Sequence, residues 1–288
     1  MATTYNNLYL DLRRRFREMG DLEPGRTARE LVCSAAGKTN EEFVRDSRLY
    51  VPPETEREAN ALAERYIGGE PVAYLIGEWE FYGVPLDISD AVLIPRPDTE
   101  VLTARAIEMA QAYHAPRVLD LCAGSGCIGL ALAKHVADAR VLLGELDDEA
   151  VKICRRNIRR NALNTRVSVM CVNALEKPPR QMGEFDVIVS NPPYIPTADI
   201  DTLDASVREH EPRLALDGGA DGLDFFRAIC ATWRDALRPN GKLLFEVGIG
   251  QADEVLRLMR SSGFGDVQII KDLNEIPRVV YGTRWDAV

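Results

Sequence analysis

The chain has 288 residues, 46% of them hydrophobic, enough for a substantial core and for two domains or one domain with an appendage. Its net charge of -10 opposes non-specific attraction to nucleic-acid phosphates, so stable nucleic-acid binding is not expected. No apolar run approaches the roughly 20 residues that span a bilayer, and the N-terminus, with Asn6, Asn7 and Asp11, lacks a signal-peptide pattern, so no membrane association and a cytoplasmic location are expected.

Residues 1 to 70 carry helical periodicity, with Leu8, Leu12, Phe16 and Met19 on one face and Leu31, Val32 and Ala35 on another. Breaks at Gly20 to Pro24, Gly37 to Asn40 and Val51 to Pro53, then a helix over Glu54 to Ile67 closed by Gly68-Gly69, predict a small helical bundle. Residues 71 to 90 change character. Trp79-Glu80-Phe81-Tyr82 and Val84 to Ile88 flank Gly83, which predicts a β-hairpin linking two domains.

Residues 91 to 288 alternate strand and helix. Strands are expected at Arg117 to Leu121, Arg140 to Gly144, Val167 to Val172, Phe185 to Ser190 and Lys242 to Val247, with helical patterns at 126 to 136, 148 to 161 and 222 to 237. That rhythm predicts an α/β fold, a Rossmann-like doubly wound parallel sheet. After a helix near Gln251 to Ser262, Asp266 to Lys271 and Arg278 to Gly282 fit an antiparallel hairpin at the sheet edge. The six cysteines are scattered and form no C-x-x-C pair, which points to reduced, buried thiols. His114, His135 and His210 are not spaced as a metal or catalytic set, and no metal site is expected.

Two segments carry chemistry. Asp120-Leu121-Cys122-Ala123-Gly124-Ser125-Gly126 follows the first central strand and opens a helix, a pattern that alone also fits a dinucleotide site. A carboxylate at Asp120 would repel a pyrophosphate and attract an ammonium. Glu145, ending the next strand, is placed to accept from both hydroxyls of a ribose, and a ribose with a cationic amino acid describes S-adenosylmethionine. Cys122 and Ala123 belong to the same loop, Gly124 and Gly126 let the backbone approach closely, and Asn173 after the third strand offers a carbonyl to an adenine amine.

The second segment is Asn191-Pro192-Pro193-Tyr194, just past an apolar strand. The prolines hold the chain extended and remove two donors. Asn191 and the Pro192 carbonyl could accept both hydrogens of a planar NH2 group, with Tyr194 stacked on its plane. The plainer account is a strand followed by a proline-stiffened loop.

Cofactor loop, acidic second-strand end and Asn-Pro-Pro-Tyr occur here in the order typical of amino-group methyltransferases. Leu93-Ile94-Pro95-Arg96-Pro97-Asp98-Thr99-Glu100, Gly69-Glu70-Pro71-Val72-Ala73-Tyr74-Leu75-Ile76-Gly77, and Glu211-Pro212-Arg213-Leu214-Ala215-Leu216 with Gly218-Gly219 and Asp221-Gly222-Leu223 narrow the choice. They resemble the bacterial release factor glutamine methyltransferase (PrmC/HemK) family over nearly the whole chain from about residue 65. The resemblance implies methylation of the glutamine side-chain nitrogen in the Gly-Gly-Gln motif of class 1 peptide chain release factors, giving N5-methylglutamine. It makes Asn191, Pro192 and Tyr194 the catalytic set, with Pro193 also on the substrate and Asn191 also near the cofactor. The helical segment becomes a substrate-recognition domain. Arg96 and Glu100 are expected to organise the cofactor entrance.

Two positions depart from the general pattern: Cys122 replaces a glycine, and Asn173 replaces a common aspartate. Two alternatives share much of it. A glutamine methyltransferase acting on a ribosomal protein tends to carry Pro-Arg-Ser-Pro where this chain has Pro95-Arg96-Pro97-Asp98. A DNA adenine N6-methyltransferase uses the same Asn-Pro-Pro-Tyr on a flipped base.

Overall fold

The computed structural model describes residues 3–285, which divide into two compact units. One runs to Glu78 and includes Ala205–His210; the other comprises Trp79–Asp204 and the chain from Glu211 onward.

The first unit is helical: α1 (Tyr5–Glu18), α2 (Pro24–Ala36), α3 (Asn40–Asp46), α4 (Pro53–Ile67) and the single turn α5 (Val72–Ile76). Thr4 caps α1 by accepting from the Asn7 amide, and Thr39 and Glu42 form a reciprocal capping box on α3. Proline opens α2 and α4, where a missing N–H costs nothing. Leu8, Leu12 and Phe16 meet Leu31, Val32 and Leu62 in one core, with Phe16 edge-on to Tyr66 at 4.8 Å. Met19, expected on the buried face, is exposed at the C-cap, one residue past the end of α1 at Glu18.

The hairpin begins later than the sequence suggested. Pro71 and the left-handed Gly77 bracket Val72–Ile76 into a helical turn, and only β1 (Glu78–Phe81) and β2 (Val84–Asp87) pair.

The second unit is built on a seven-stranded sheet: β3 (Arg117–Leu121), β4 (Arg140–Glu145), β5 (Val167–Cys171), β6 (Phe185–Ser190), β7 (Leu237–Glu246), β8 (Phe264–Lys271) and β9 (Pro277–Arg284). Their order is β5-β4-β3-β6-β7-β9-β8, parallel from β5 through β7, with β9 antiparallel to both β7 and β8. The expected Rossmann-like sheet with an antiparallel edge hairpin is thus the observed one. All six residues of β6 are buried, as a central parallel strand covered on both faces requires. The connecting helices in this unit are α6 (Thr99–Ala110), α7 (Cys127–His135), α8 (Asp148–Arg160), α10 (Asp224–Thr232) and α11 (Ala252–Ser261); α9 (Ala205–His210) belongs to the first unit. Trp233, fully buried, donates its indole N–H to the Ala174 carbonyl and ties the end of α10 to the loop after β5. Five cysteines lie against or within the interior, but Cys171 is exposed, because β5 is an edge strand.

Among the described residues, no helix is long and apolar enough to cross a membrane.

Candidate active site

Parallel strands bring their C-terminal ends to one edge of the sheet, and the expected site residues gather there. Leu121 at the end of β3 stands opposite Gly144 of β4 and Ser190 of β6, so the cofactor-type loop, Glu145 and Asn191 all leave the sheet side by side.

In the loop after β3, Cys122 and Gly124 both adopt left-handed backbone (φ 63° and 54°), and Gly126 caps α7. The Glu145 carboxylate braces the loop. One oxygen accepts from the Gly124 amide at 2.7 Å and the other from Leu146 and Asp147 at 2.7 and 3.0 Å, which leaves one lone pair free, on the oxygen bonded to Gly124. Asp120 behaves differently from expectation. Its side chain is fully buried beneath the loop, accepts from the Gly129 amide at 2.8 Å, and is not among the cavity-lining groups. Burial pushes its carboxyl up to about 7, against the pull of the Gly129 amide and with the help of nearby Glu145. Asp120 therefore anchors α7 to β3. A Cβ at Gly129 would stand 2.4 Å from the Leu143 side chain, so glycine there permits that close approach.

A cavity of about 360 Å³ opens above these strand ends. Cys122, Ala123, Gly124, Glu145, Asn173, Asn191 and Pro193 line it; Asp120, Gly126, Pro192 and Tyr194 do not. Asn173 makes local bonds, accepting from the Leu175 amide at 3.0 Å and donating to Glu176 at 3.0 Å. The far wall, absent from the expected set, comes from Val92, Leu93, Pro95, Thr99, Leu214 and Phe225. Arg96 reaches the cavity and pairs with Glu211, whose side chain is 1% exposed; Glu100 lies outside the lining. Among the described residues, no group of three or more His, Cys, Asp or Glu side chains is placed to hold a metal.

Beyond β6, Asn191 faces the cavity with its amide nitrogen 3.4 Å from the Thr99 hydroxyl. Pro192 and Pro193 are buried. Tyr194 packs against the core, and burial raises its phenol to about 12. A second strip of chain clasps this loop. Ile195 donates to the Leu216 carbonyl at 3.0 Å, Gly218 donates back to Ile195 at 2.8 Å, and the Thr197 amide and hydroxyl bond Gly219 and Asp217. The Gln251 side chain holds the Tyr194 carbonyl at 2.9 Å. Gly218 and Gly222 stand in the quoted motifs for this reason.

Two family models match: the PrmC N-terminal domain over residues 8–77 and the methyltransferase small domain over residues 99–220. The release factor glutamine methyltransferase of Caulobacter vibrioides is 36% identical over 287 residues, covering 99% of this chain and 98% of that protein. This chain belongs to the release factor glutamine methyltransferase family. The Geobacter sulfurreducens member is 44% identical over 80% of this chain and 79% of its own length. Among solved structures, a methyltransferase from Pyrococcus furiosus aligns at TM-score 0.51 and 18% identity, covering 81% of this chain and all of that one. The catalytic domain of hMettl16, in complex with a MAT2A 3'UTR hairpin, aligns at TM-score 0.58 and 17% identity over 72% of this chain and 78% of that chain. At such identities both show the fold alone. The family's methyltransferase fold accounts for the architecture at the sheet edge: a glycine-bearing loop, an acidic strand end and an Asn-Pro-Pro-Tyr segment around one cavity.

Proposed function

We propose that this enzyme transfers a methyl group from S-adenosylmethionine to the glutamine side-chain nitrogen in the Gly-Gly-Gln motif of class 1 peptide chain release factors, giving N5-methylglutamine in the cytoplasm. The observation that carries the reading is the Asn191 carboxamide, which faces the same cavity as Glu145 and the Cys122–Gly124 loop in a chain of this family.

The residues present fit the cofactor. Glu145 keeps one lone pair for a ribose hydroxyl, the loop from Cys122 to Gly124 gives close backbone approach, and Asn173 with Val172 and Leu146 offers an amide and apolar surface to an adenine. Bound there, S-adenosylmethionine would supply an electrophilic methyl group on a sulfonium. The chain's own task is to present the nitrogen. An amide nitrogen is a poor nucleophile because its lone pair is delocalised into the carbonyl. Asn191 Oδ1 and the Pro192 carbonyl, accepting the two N–H hydrogens, favour a pyramidal nitrogen whose lone pair points along the line of displacement. Orientation of this kind is worth roughly 7–11 kcal/mol in the best intramolecular models. Pro192 and Tyr194 both lie outside the cavity lining, so the Pro192 carbonyl contact and the stacking of Tyr194 on the substrate amide require the loop to shift when substrate arrives. The helical unit is assigned to docking the release factor.

Calorimetry with S-adenosylmethionine and NADH, followed by label transfer to release factor, ribosomal proteins and DNA, tests the reading. Binding of S-adenosylmethionine alone and label in release factor alone are expected. Label only in ribosomal protein or DNA would overturn the assignment.

A further inference from the structure

Glu246 ends β7 and is 3% exposed, an ionisable group inside the core. β6 and β7 are parallel with Ser190 opposite Phe245, so the next residues along, Asn191 and Glu246, leave the sheet as neighbours. Thr99, opening α6, closes the third side. Asn191 Nδ2 donates to Thr99 Oγ1 at 3.4 Å, and both groups favour the ionised form of the neighbouring Glu246 carboxyl. The second carboxyl oxygen, Oε2, is buried and has no hydrogen-bond partner among the described residues.

A carboxamide has a donor end and an acceptor end of nearly the same shape, so packing alone does not decide which end faces a ligand. A carboxylate only accepts. Ionised Glu246 beside Thr99 therefore favours the Nδ2 end of Asn191 on its own side, where it bonds Thr99, and leaves Oδ1 for the cavity. We infer that Glu246 and Thr99 are positioning residues that hold Asn191 with its carbonyl oxygen toward the substrate amide.

This rests on the reading of Asn191 as acceptor of a substrate N–H. Protonation of Glu246 turns its carboxyl into a donor. Asn191 then gains by rotating its oxygen inward, and its NH2 meets the substrate NH2 donor to donor. The other groups facing Glu246 are Asp98 and Arg278, with Tyr194 and Cys127. Arg278 is shared with Asp98 at 2.7 Å and Asp272 at 3.1 Å, so it compensates Glu246 only in part. Burial, opposed by the Thr99 and Asn191 side chains, holds the Glu246 carboxyl up at about 7, inside the range where an assay can titrate it.

The test is release-factor methylation by the full chain from about pH 5.5 to 8.5, with cofactor affinity measured in parallel. Wild-type kcat should fall about tenfold per pH unit below about pH 7. Glu246→Gln should lower kcat at pH 8 by about tenfold, flatten the profile, and leave cofactor Kd and substrate KM within about twofold. A Glu246→Gln enzyme with the wild-type kcat and pH slope would overturn the inference. Should that variant fail to fold, Thr99→Ser must exceed Thr99→Val in kcat by about tenfold; equal turnover overturns the inference equally. Wild-type turnover by Asn191→Ala would instead defeat the reading of Asn191 itself, whatever Glu246→Gln does.

Discussion

Gly218 lies so close to Tyr194 that a β-carbon on it would stand 2.7 Å from the Tyr194 Cα and 2.9 Å from the Pro193 carbonyl oxygen. Both obstacles are backbone, and neither can turn aside as a side chain can. Gly218→Ala should therefore loosen the clasp on the Asn-Pro-Pro-Tyr loop and destabilise the enzyme by about 1–3 kcal/mol. Denaturant unfolding measures the loss; methylation should fall with it, because the displaced backbone carries Asn191. Unchanged stability would mean that the two strands do not meet this closely.

Asn191→Ala removes the acceptor from the cavity without touching Glu145 or the Cys122–Gly124 loop. Methylation should fall by roughly 10²–10³-fold or more, taking loss of one oriented polar group in an active site as the guide. Cofactor affinity by calorimetry should stay nearly unchanged. A matching loss of cofactor binding would place Asn191 on the cofactor instead.

The glycine that the general cofactor-loop pattern carries at position 122 would relieve backbone strain. Cys122 sits at φ 63°, where a Cβ crowds the carbonyl. Cys122→Gly should be more stable than Cys122→Ala by about 1 kcal/mol, the difference in cost of left-handed backbone. Thermal unfolding of the pair decides it. An alanine variant as stable as the glycine variant would contradict the strain.

Two buried carboxyls set a pH dependence of stability. Asp120 is raised from 3.8 to about 7 and Glu246 from 4.5 to about 7, both chiefly by burial. Unfolding lowers each to its ordinary value, so the folded state holds the extra protons between about pH 4 and 7. Their contribution is complete below the unfolded values and lost as pH rises through about 7. Stability should therefore climb on acidification from pH 8 toward 5, by at most about 1.4 kcal/mol per pH unit for each group. Below that, Asp221, held down to about 2 by the Arg227 guanidinium, and Asp217, lowered by the Thr197 hydroxyl, reverse the trend. Asp120→Asn should flatten the slope between pH 5 and 7. A slope unaltered by that change would assign it elsewhere.

Much of this was legible in the sequence because strand chemistry is local. Phe185 to Ser190 reads as a buried strand from its own residues, and Asn191 must then emerge at the sheet edge. What stayed hidden depends on distant partners. Glu246 reads as the end of an apolar strand, and only the parallel pairing of β6 with β7 sets it against Asn191. The helix from Thr99 follows Pro95 and Pro97 so closely that the segment reads as loop, which concealed Thr99 as a cavity residue. Asp120 presents a carboxylate in the sequence, and only the approach of α7 shows that it turns inward.

The central claim is methyl transfer to a release-factor glutamine. Purified class 1 release factor, incubated with the enzyme and isotopically labelled S-adenosylmethionine and then digested, allows mass spectrometry of the Gly-Gly-Gln peptide. A mass gain of one labelled methyl group, located by fragmentation on the glutamine side chain and absent with Asn191→Ala, is the predicted result. An unmodified Gly-Gly-Gln peptide, under conditions where the enzyme is shown to bind the cofactor, would contradict it.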